Sequence, residues 1–183
     1  MFVNTNTIII HWRQWGGKTL FATLLSLDFL GRIYSNYHIY KNDNPIMCFL
    51  DKLEFLDLLE YSSQPWCIIF DEVWLNFNSK EWASNRNKTL TKFFFLVRKF
   101  NLSSIYISQR FSSIPVDMRE LVNYIYEVSI IPRKKKHPLF RITRQTTNNE
   151  GFLEFQEEFI FDIIKYLQKA WISYNTLESS IIH

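Results

Sequence analysis

The chain has 183 residues, 47% hydrophobic and 17% aromatic, with only four glycines and five prolines; this suits a packed domain and excludes a disordered chain. A net charge of +3 provides no overall basic field, so any contact with nucleic acid has to come from a local patch. Two cysteines, Cys48 and Cys67, exclude a disulfide framework and a cysteine metal cluster, and suggest a reducing compartment.

Met1-Phe2-Val3-Asn4-Thr5 lacks the basic and apolar blocks of a signal peptide. No window approaches the ~18 uncharged apolar residues needed to span a bilayer, so a soluble chain without a transmembrane segment is expected. Ile8-Ile9-Ile10 is a short apolar run of the kind that forms a buried parallel strand. A glycine turn follows, then a helix over Lys18–Leu30 with Leu20, Leu24, Leu27 and Leu30 at helical spacing and Gly31 as its stop. A second strand is expected over Ile33–Ile39 and a short helix over Asp51–Tyr61.

Trp66-Cys67-Ile68-Ile69-Phe70 is another fully apolar run, with Cys67 as a small buried hydrophobe. Thr89–Phe100 reads as a helix, and Ile105-Tyr106-Ile107 as a third buried strand. Strands are expected at Tyr124–Ile130 and Leu139–Gln145, and a helix over Phe152–Ala170. Short apolar strands alternating with helices predict an α/β fold, a mostly parallel central sheet flanked by helices. One domain is expected over 1–183, with a core of about 7–145 and a C-terminal helical segment of about 152–183.

In such sheets ligands bind beyond the carboxyl ends of the strands. Three polar groups stand just past such ends: Gly16–Thr19, Asp71-Glu72 and Gln109. Trp12-Arg13-Gln14-Trp15-Gly16-Gly17-Lys18-Thr19 fits G-x-x-x-x-G-K-[ST] except that Trp12 replaces the first glycine. Gly16 and Gly17 allow backbone N–H groups to turn inward around phosphate oxygens, and the helix aims its positive end at the same anion. Arg13, Gln14 and Trp15 complete the loop, Lys18 reaches the β- and γ-phosphates, and Thr19 offers its hydroxyl to Mg²⁺. Trp12 and Trp15 either cover the edge of the core or border the nucleotide, edge packing being preferred.

An apolar strand ending in Asp-Glu is what a Walker B element requires. Asp71 holds Mg²⁺ through water, and Glu72 polarises the attacking water. Gln109, ending Ser104-Ile105-Tyr106-Ile107-Ser108, can hydrogen-bond the γ-phosphate or that water; its plainer reading is a loop glutamine. The cofactors implied are ATP and Mg²⁺, and the loop and carboxylates together mark a P-loop nucleoside triphosphatase.

The order of G-G-K-T, I-I-F-D-E and I-Y-I-S-Q-R resembles the HerA/FtsK superfamily of DNA-pumping ATPases. Within it, the small viral genome-packaging ATPases and the zonula-occludens-toxin-like phage assembly proteins are nearest. The resemblance runs from about Thr7 to Ile130 and implies a RecA-like, HerA/FtsK-like P-loop fold. It also implies that Arg98, in Leu96-Val97-Arg98-Lys99-Phe100, acts on the nucleotide of a neighbouring subunit. That role requires a ring, expected to be a hexamer, because such an arginine has work only at a subunit boundary. Tyr174, Thr176 and Glu178 are similar to a tyrosine-x-threonine-x-glutamate stretch of the toxin-like members.

The resemblance thus implies ATP hydrolysis coupled to translocation of double-stranded DNA, with viral genome packaging expected first because no membrane span is present. The expected setting is the host cytoplasm or the virion, with a capsid vertex or membrane proteins as further partners. A phage assembly, extrusion or conjugation ATPase is the alternative; another is a non-hydrolysing nucleotide- or DNA-binding structural protein whose loop has decayed at Trp12. Arg133-Lys134-Lys135-Lys136, between Pro132 and Pro138, is expected at a hairpin tip. It reads equally as a solvated loop or as a contact to DNA phosphates. Phe93-Phe94-Phe95 and Phe152, Phe155 and Phe159 are assigned to core or subunit packing.

Overall fold

A computed structural model of the chain describes residues 6–12, 17–27, 29, 31–41, 44–45, 66–72, 102–114, 119–134, 136–147 and 153–162. Strand β1 spans Thr7–His11, helix α1 Lys18–Leu27 and strand β2 Arg32–Ser35. The short strands β3 (Tyr40–Lys41) and β4 (Asn44–Pro45) pair with each other in a separate two-stranded sheet. Then come β5 (Trp66–Phe70), β6 (Ser103–Ser108), β7 (Tyr124–Arg133), β8 (Lys136–Thr147) and β9 (Leu153–Asp162). A 3₁₀ turn at Phe111–Ser113 follows β6.

Seven strands form one sheet in the order β2-β5-β6-β1-β7-β8-β9. The first five run parallel, while β8 and β9 continue the sheet antiparallel. This mostly parallel sheet is the architecture the alternating pattern predicts, and β1, β5 and β6 fall where their apolar runs lie. Such runs are unbroken because both faces are covered: Ile8, Ile9 and Ile10 are all at most 1% exposed. One face gathers Ile8, Ile10, Ile69, Ile105, Ile107 and Phe140 with Phe21 and Ala22 of α1 into a single apolar cluster. Cys67 lies in the same cluster as the small hydrophobe expected, and burial pushes its thiol up to about 12.

Three expectations need correction. The helix expected over Phe152–Ala170 is, over Leu153–Asp162, strand β9. The spacing of Phe155 and Phe159 suits a helix, but Leu153, Phe155, Phe159 and Phe161 also alternate, and the pairing of nine β9 residues with β8 decides for the strand. Phe155 and Phe159 are accordingly 49% and 42% exposed on the outer strand β9, which removes the core half of their assignment and leaves subunit packing as the other. The leucine stripe of α1 is not its most buried side: the helix buries Phe21, Ala22, Thr23 and Ser26. Small residues allow close approach to the sheet, and the Thr23 and Ser26 hydroxyls donate to the carbonyls of Thr19 and Thr23. Finally, α1 stops at Leu27 and β2 at Ser35, both short of the expected ends.

The expected helices at Asp51–Tyr61 and Thr89–Phe100, with Phe93-Phe94-Phe95, lie outside the described residues. So do Phe152, residues 163–183 and therefore Tyr174, Thr176 and Glu178. Among the described residues no helix is long and apolar enough to cross a membrane.

Candidate active site

Parallel strands place their carboxyl ends on one rim, and α1 begins there, directly after β1 and the glycine turn. Gly17 has φ +76, a conformation glycine adopts without penalty. Its carbonyl accepts the first bond of α1, from the Phe21 N–H at 2.9 Å. The preceding N–H groups of that first turn therefore have no helical acceptor and present a ready site for an anion. A Cβ at Gly17 would stand 2.4 Å from Phe140 Cε1, so the turn rests directly on the ring of a β8 residue.

Lys18 and Thr19 open α1 beside the end of β5. The Thr19 hydroxyl donates to Asp71 Oδ2 at 2.6 Å, joining residues 52 apart in sequence. Lys18 is only 7% exposed. Burial lowers its pKa, while the charges of Glu72 and Asp71 act in the opposite direction. Burial likewise raises the Asp71 pKa, opposed chiefly by the Thr19 hydrogen bond. Each charge is thus disfavoured by its own burial and retained by the other's presence.

Glu72 follows with φ 51, left-handed backbone that a non-glycine residue rarely adopts away from functional turns. Its N–H donates to Asp71 Oδ1 at 2.8 Å, and its Oε1 accepts from Gln109 Nε2 at 3.1 Å. Gln109 reaches it because β6 lies between β1 and β5, with Ser108 in register with His11. Thus Lys18, Thr19, Asp71, Glu72 and Gln109, distant in sequence, meet at one rim.

The sequence reading missed Asn36. Its side chain donates from Nδ2 to the Asp71 carbonyl at 2.9 Å and accepts from the Asp71 N–H through Oδ1 at 2.7 Å. A lone asparagine after a short strand carries no motif, so only the β2–β5 pairing reveals it. His11 ends β1 at the same rim. Its ring packs on Phe111 with centroids 5.3 Å apart, and the Arg119 guanidinium lies 5.2 Å from the other ring's centroid. Burial, helped by the Lys18 charge, pushes the imidazole down to about 4, so it is neutral at physiological pH.

Trp12, directly after β1, is 36% exposed. Arg13, Gln14, Trp15, Gly16 and Arg98 lie outside the described residues. Arg133, Lys134 and Lys136 stand at the β7–β8 turn, as expected of a hairpin tip, and Lys135 lies outside the described residues. Because Glu127 pairs with His11, β7 continues to Arg133 past the end of β1, so the tip projects from the same side as the site. Arg133 also faces Asp162 of β9 at 3.8 Å.

The donor set at Thr19 and Asp71, a hydroxyl beside a carboxylate, consists of the hard oxygens that Mg²⁺ selects. Those residues fit a Mg²⁺–nucleotide.

A family model for zonular occludens toxin (Zot) matches residues 16–150 of this chain. No curated protein matches it in sequence. Among solved structures, the N-terminal domain of zonular occludens toxin from Neisseria meningitidis aligns with a TM-score of 0.58 at 13% identity, over 94% of this chain and 100% of that one. The DNA-packaging ATPase B204 of Sulfolobus Turreted Icosahedral Virus aligns with a TM-score of 0.53 at 11% identity, covering 85% of this chain and 98% of that one. The packaging NTPase B204 of Sulfolobus turreted icosahedral virus 2, in complex with AMPPCP, aligns with a TM-score of 0.52 at 13% identity, covering 86% and 97%. Likenesses at this identity establish the fold, which is that of the P-loop nucleoside triphosphatases.

Proposed function

The chain belongs to the zonular occludens toxin family, and from that premise we propose that it is an ATP-hydrolysing motor that moves double-stranded DNA during virus or phage assembly. The observation that carries this reading is the 2.6 Å bond between Thr19 and Asp71, which joins the phosphate loop to the carboxylate strand. When bound there, Mg²⁺ would supply positive charge against the β- and γ-phosphate oxygens, held by Thr19 and Asp71. Lys18 and the N-terminus of α1 bind and orient the phosphates. Glu72 accepts a hydrogen bond from the water that adds to the γ-phosphorus as the bond to ADP breaks. Gln109 holds the Glu72 carboxylate and can exchange that bond for one to the water or the γ-phosphate.

The basic tip around Arg133–Lys136 is the DNA contact in this reading, and Arg98 completes the site across a ring, taken as a hexamer. Two versions differ in where the DNA goes. The sequence favours packaging into a capsid, with a capsid vertex as partner; family membership favours the toxin-like phage assembly branch, for which membrane proteins are the partners proposed. In both versions the chain works in the host cytoplasm or on the virion.

ATPase assays with and without double-stranded DNA test the proposal. Wild type should hydrolyse ATP and respond to DNA, Lys18→Ala should lose Mg²⁺–nucleotide binding, and Glu72→Gln should bind ATP while losing turnover by orders of magnitude. Comparable rates in wild type and Glu72→Gln would remove Glu72 from the mechanism. A wild type that binds ATP without hydrolysing it would favour the structural-protein alternative.

A further inference from the structure

From the geometry around β2 we infer that Asn36 is a positioning residue, which sets the turn carrying Asp71 and Glu72 and so fixes where the Glu72 carboxylate stands. The inference rests on the hydrolytic reading of Glu72 given above.

The register explains how an asparagine comes to do this. Ser35, the last residue of β2, pairs with Ile69 of β5, and the Asn36 N–H still donates to the Ile69 carbonyl at 3.3 Å. There the backbone ladder ends. The Asn36 carboxamide then takes the place of the next main-chain unit, donating to the Asp71 carbonyl at 2.9 Å and accepting from the Asp71 N–H at 2.7 Å. A primary carboxamide carries a donor and an acceptor on the same edge, so this one side chain meets both main-chain groups of Asp71 just past the last paired strand residue.

Both bonds fall on the main chain of Asp71, and the carbonyl they fix belongs to the peptide leading into Glu72. That peptide's N–H is held by Asp71 Oδ1 at 2.8 Å, and Glu72 itself stands at φ 51. A left-handed non-glycine residue persists only where its surroundings determine it. Here the determinants are Asn36 before the turn and Gln109 at the carboxylate, 3.1 Å from Glu72 Oε1. The choice of residue follows from charge. Burial already disfavours the Asp71 carboxylate, and a neutral amide grips its backbone without adding another negative charge. Aspartate at this position could accept from the Asp71 N–H, but it has no donor for the carbonyl.

Asn36 is exposed, so water can replace its hydrogen bonds, and its removal should leave global stability little changed. The consequence should appear in geometry, where misplacement of a reacting group by about 1 Å can cost about 10²-fold in rate.

Wild type, Asn36→Ala, Asn36→Asp and Glu72→Gln are therefore compared for kcat, KM for ATP and affinity for Mg²⁺–ADP. Asn36→Ala should lose about 10²-fold in kcat, with KM and ADP affinity within about threefold of wild type. Asn36→Asp, which keeps one of the two bonds, should fall between them and serves alone if the alanine variant does not fold. A kcat within about twofold of wild type in Asn36→Ala, with Glu72→Gln inactive, overturns this inference and leaves the hydrolytic reading standing. Parallel loss of kcat and nucleotide affinity in both Asn36 variants also overturns it, since that is the mark of a merely structural residue. Full activity in Glu72→Gln would instead sink the hydrolytic reading and the inference with it.

Discussion

The parallel and antiparallel parts of the sheet handle polar groups in opposite ways. In β1, β5 and β6 the interior positions are almost all apolar and buried, and the charged chemistry waits at the strand ends. In the β8–β9 ribbon, charges lie along the strands and meet across them: Arg141 faces Glu158 at 3.8 Å and Arg144 pairs with Glu157, while Arg133 at the end of β7 faces Asp162. The first arrangement gathers charges whose burial opposes their ionisation at one end of the sheet. The second satisfies its charges internally and presents a face open to water. The two regions meet at Gly17, whose turn rests on Phe140 of β8.

That junction gives the largest expected effect. Phe140 is 0% exposed and belongs to the common core, so Phe140→Ala should destabilise the fold by about 3–5 kcal/mol. It should also weaken nucleotide binding, because the ring supports the phosphate turn. Gly17→Ala should destabilise too, through its left-handed backbone, by about 1–2 kcal/mol, and through a Cβ placed 2.4 Å from the ring. In the double variant the added methyl enters the space the ring has left, so the combined loss should be smaller than the sum. Strict additivity in denaturant titrations would mean that ribbon and loop are not coupled through this contact.

The legible parts of the molecule are those where one physical demand repeats along the chain. Burial on both faces forces unbroken apolar runs, so β1 and β5 stand out, and a polar residue directly after such a run stands out more. Asp71, Glu72 and Gln109 were accessible for that reason, and Lys18 and Thr19 through the glycine turn. Asn36 was not, because its role depends on which strand lies beside β5, and no local pattern encodes that neighbour. β9 was misread because four-residue aromatic spacing satisfies both periods, and only the antiparallel partner selects one. The leucine spacing of α1 marks a helix but not its buried face, because close packing on a sheet favours Ala22, Thr23 and Ser26.

A smaller effect should distinguish strained from satisfied charges. In the nucleotide-free protein Asp71→Asn keeps the acceptor for the Glu72 N–H and removes a carboxylate that burial disfavours. Its melting temperature at neutral pH should equal or exceed that of wild type, although Mg²⁺–nucleotide binding is weakened. The pH dependence follows from the sign of each shift. Asp71 has a raised pKa when folded, so the native state binds its proton more readily than the unfolded chain does. Stability attached to that proton is lost as pH rises from the ordinary carboxylate range through the raised value, and the loss is complete above it. His11 has the opposite effect. With its folded value at about 4 against an ordinary 6.5, stability falls as pH drops from 6.5 to 4. The advantage of Asp71→Asn over wild type should therefore widen as pH rises through the Asp71 titration, with the His11 contribution common to both. A difference that stays constant with pH would show that Asp71 is not the strained group.

The ribbon should give the smallest response. Arg141 and Glu158 have side chains each 49% exposed and approach only to 3.8 Å, so solvent screens most of their attraction. Arg141→Ala, Glu158→Ala and the double variant should each lie within about 0.5 kcal/mol of wild type, and the coupling between them should be smaller still. The Arg144–Glu157 pair is the internal control: its groups are 34% and 28% exposed, and the Arg144 guanidinium also lies over the Tyr124 and Phe159 rings at 5.5 and 5.9 Å. Packing as well as charge holds Arg144, so Arg144→Ala should cost more than Arg141→Ala although both sit on the same strand. Equal losses at the two positions, or a large coupling between Arg141 and Glu158, would mean that the ribbon holds its charges as tightly as the rim and would erase the contrast between them.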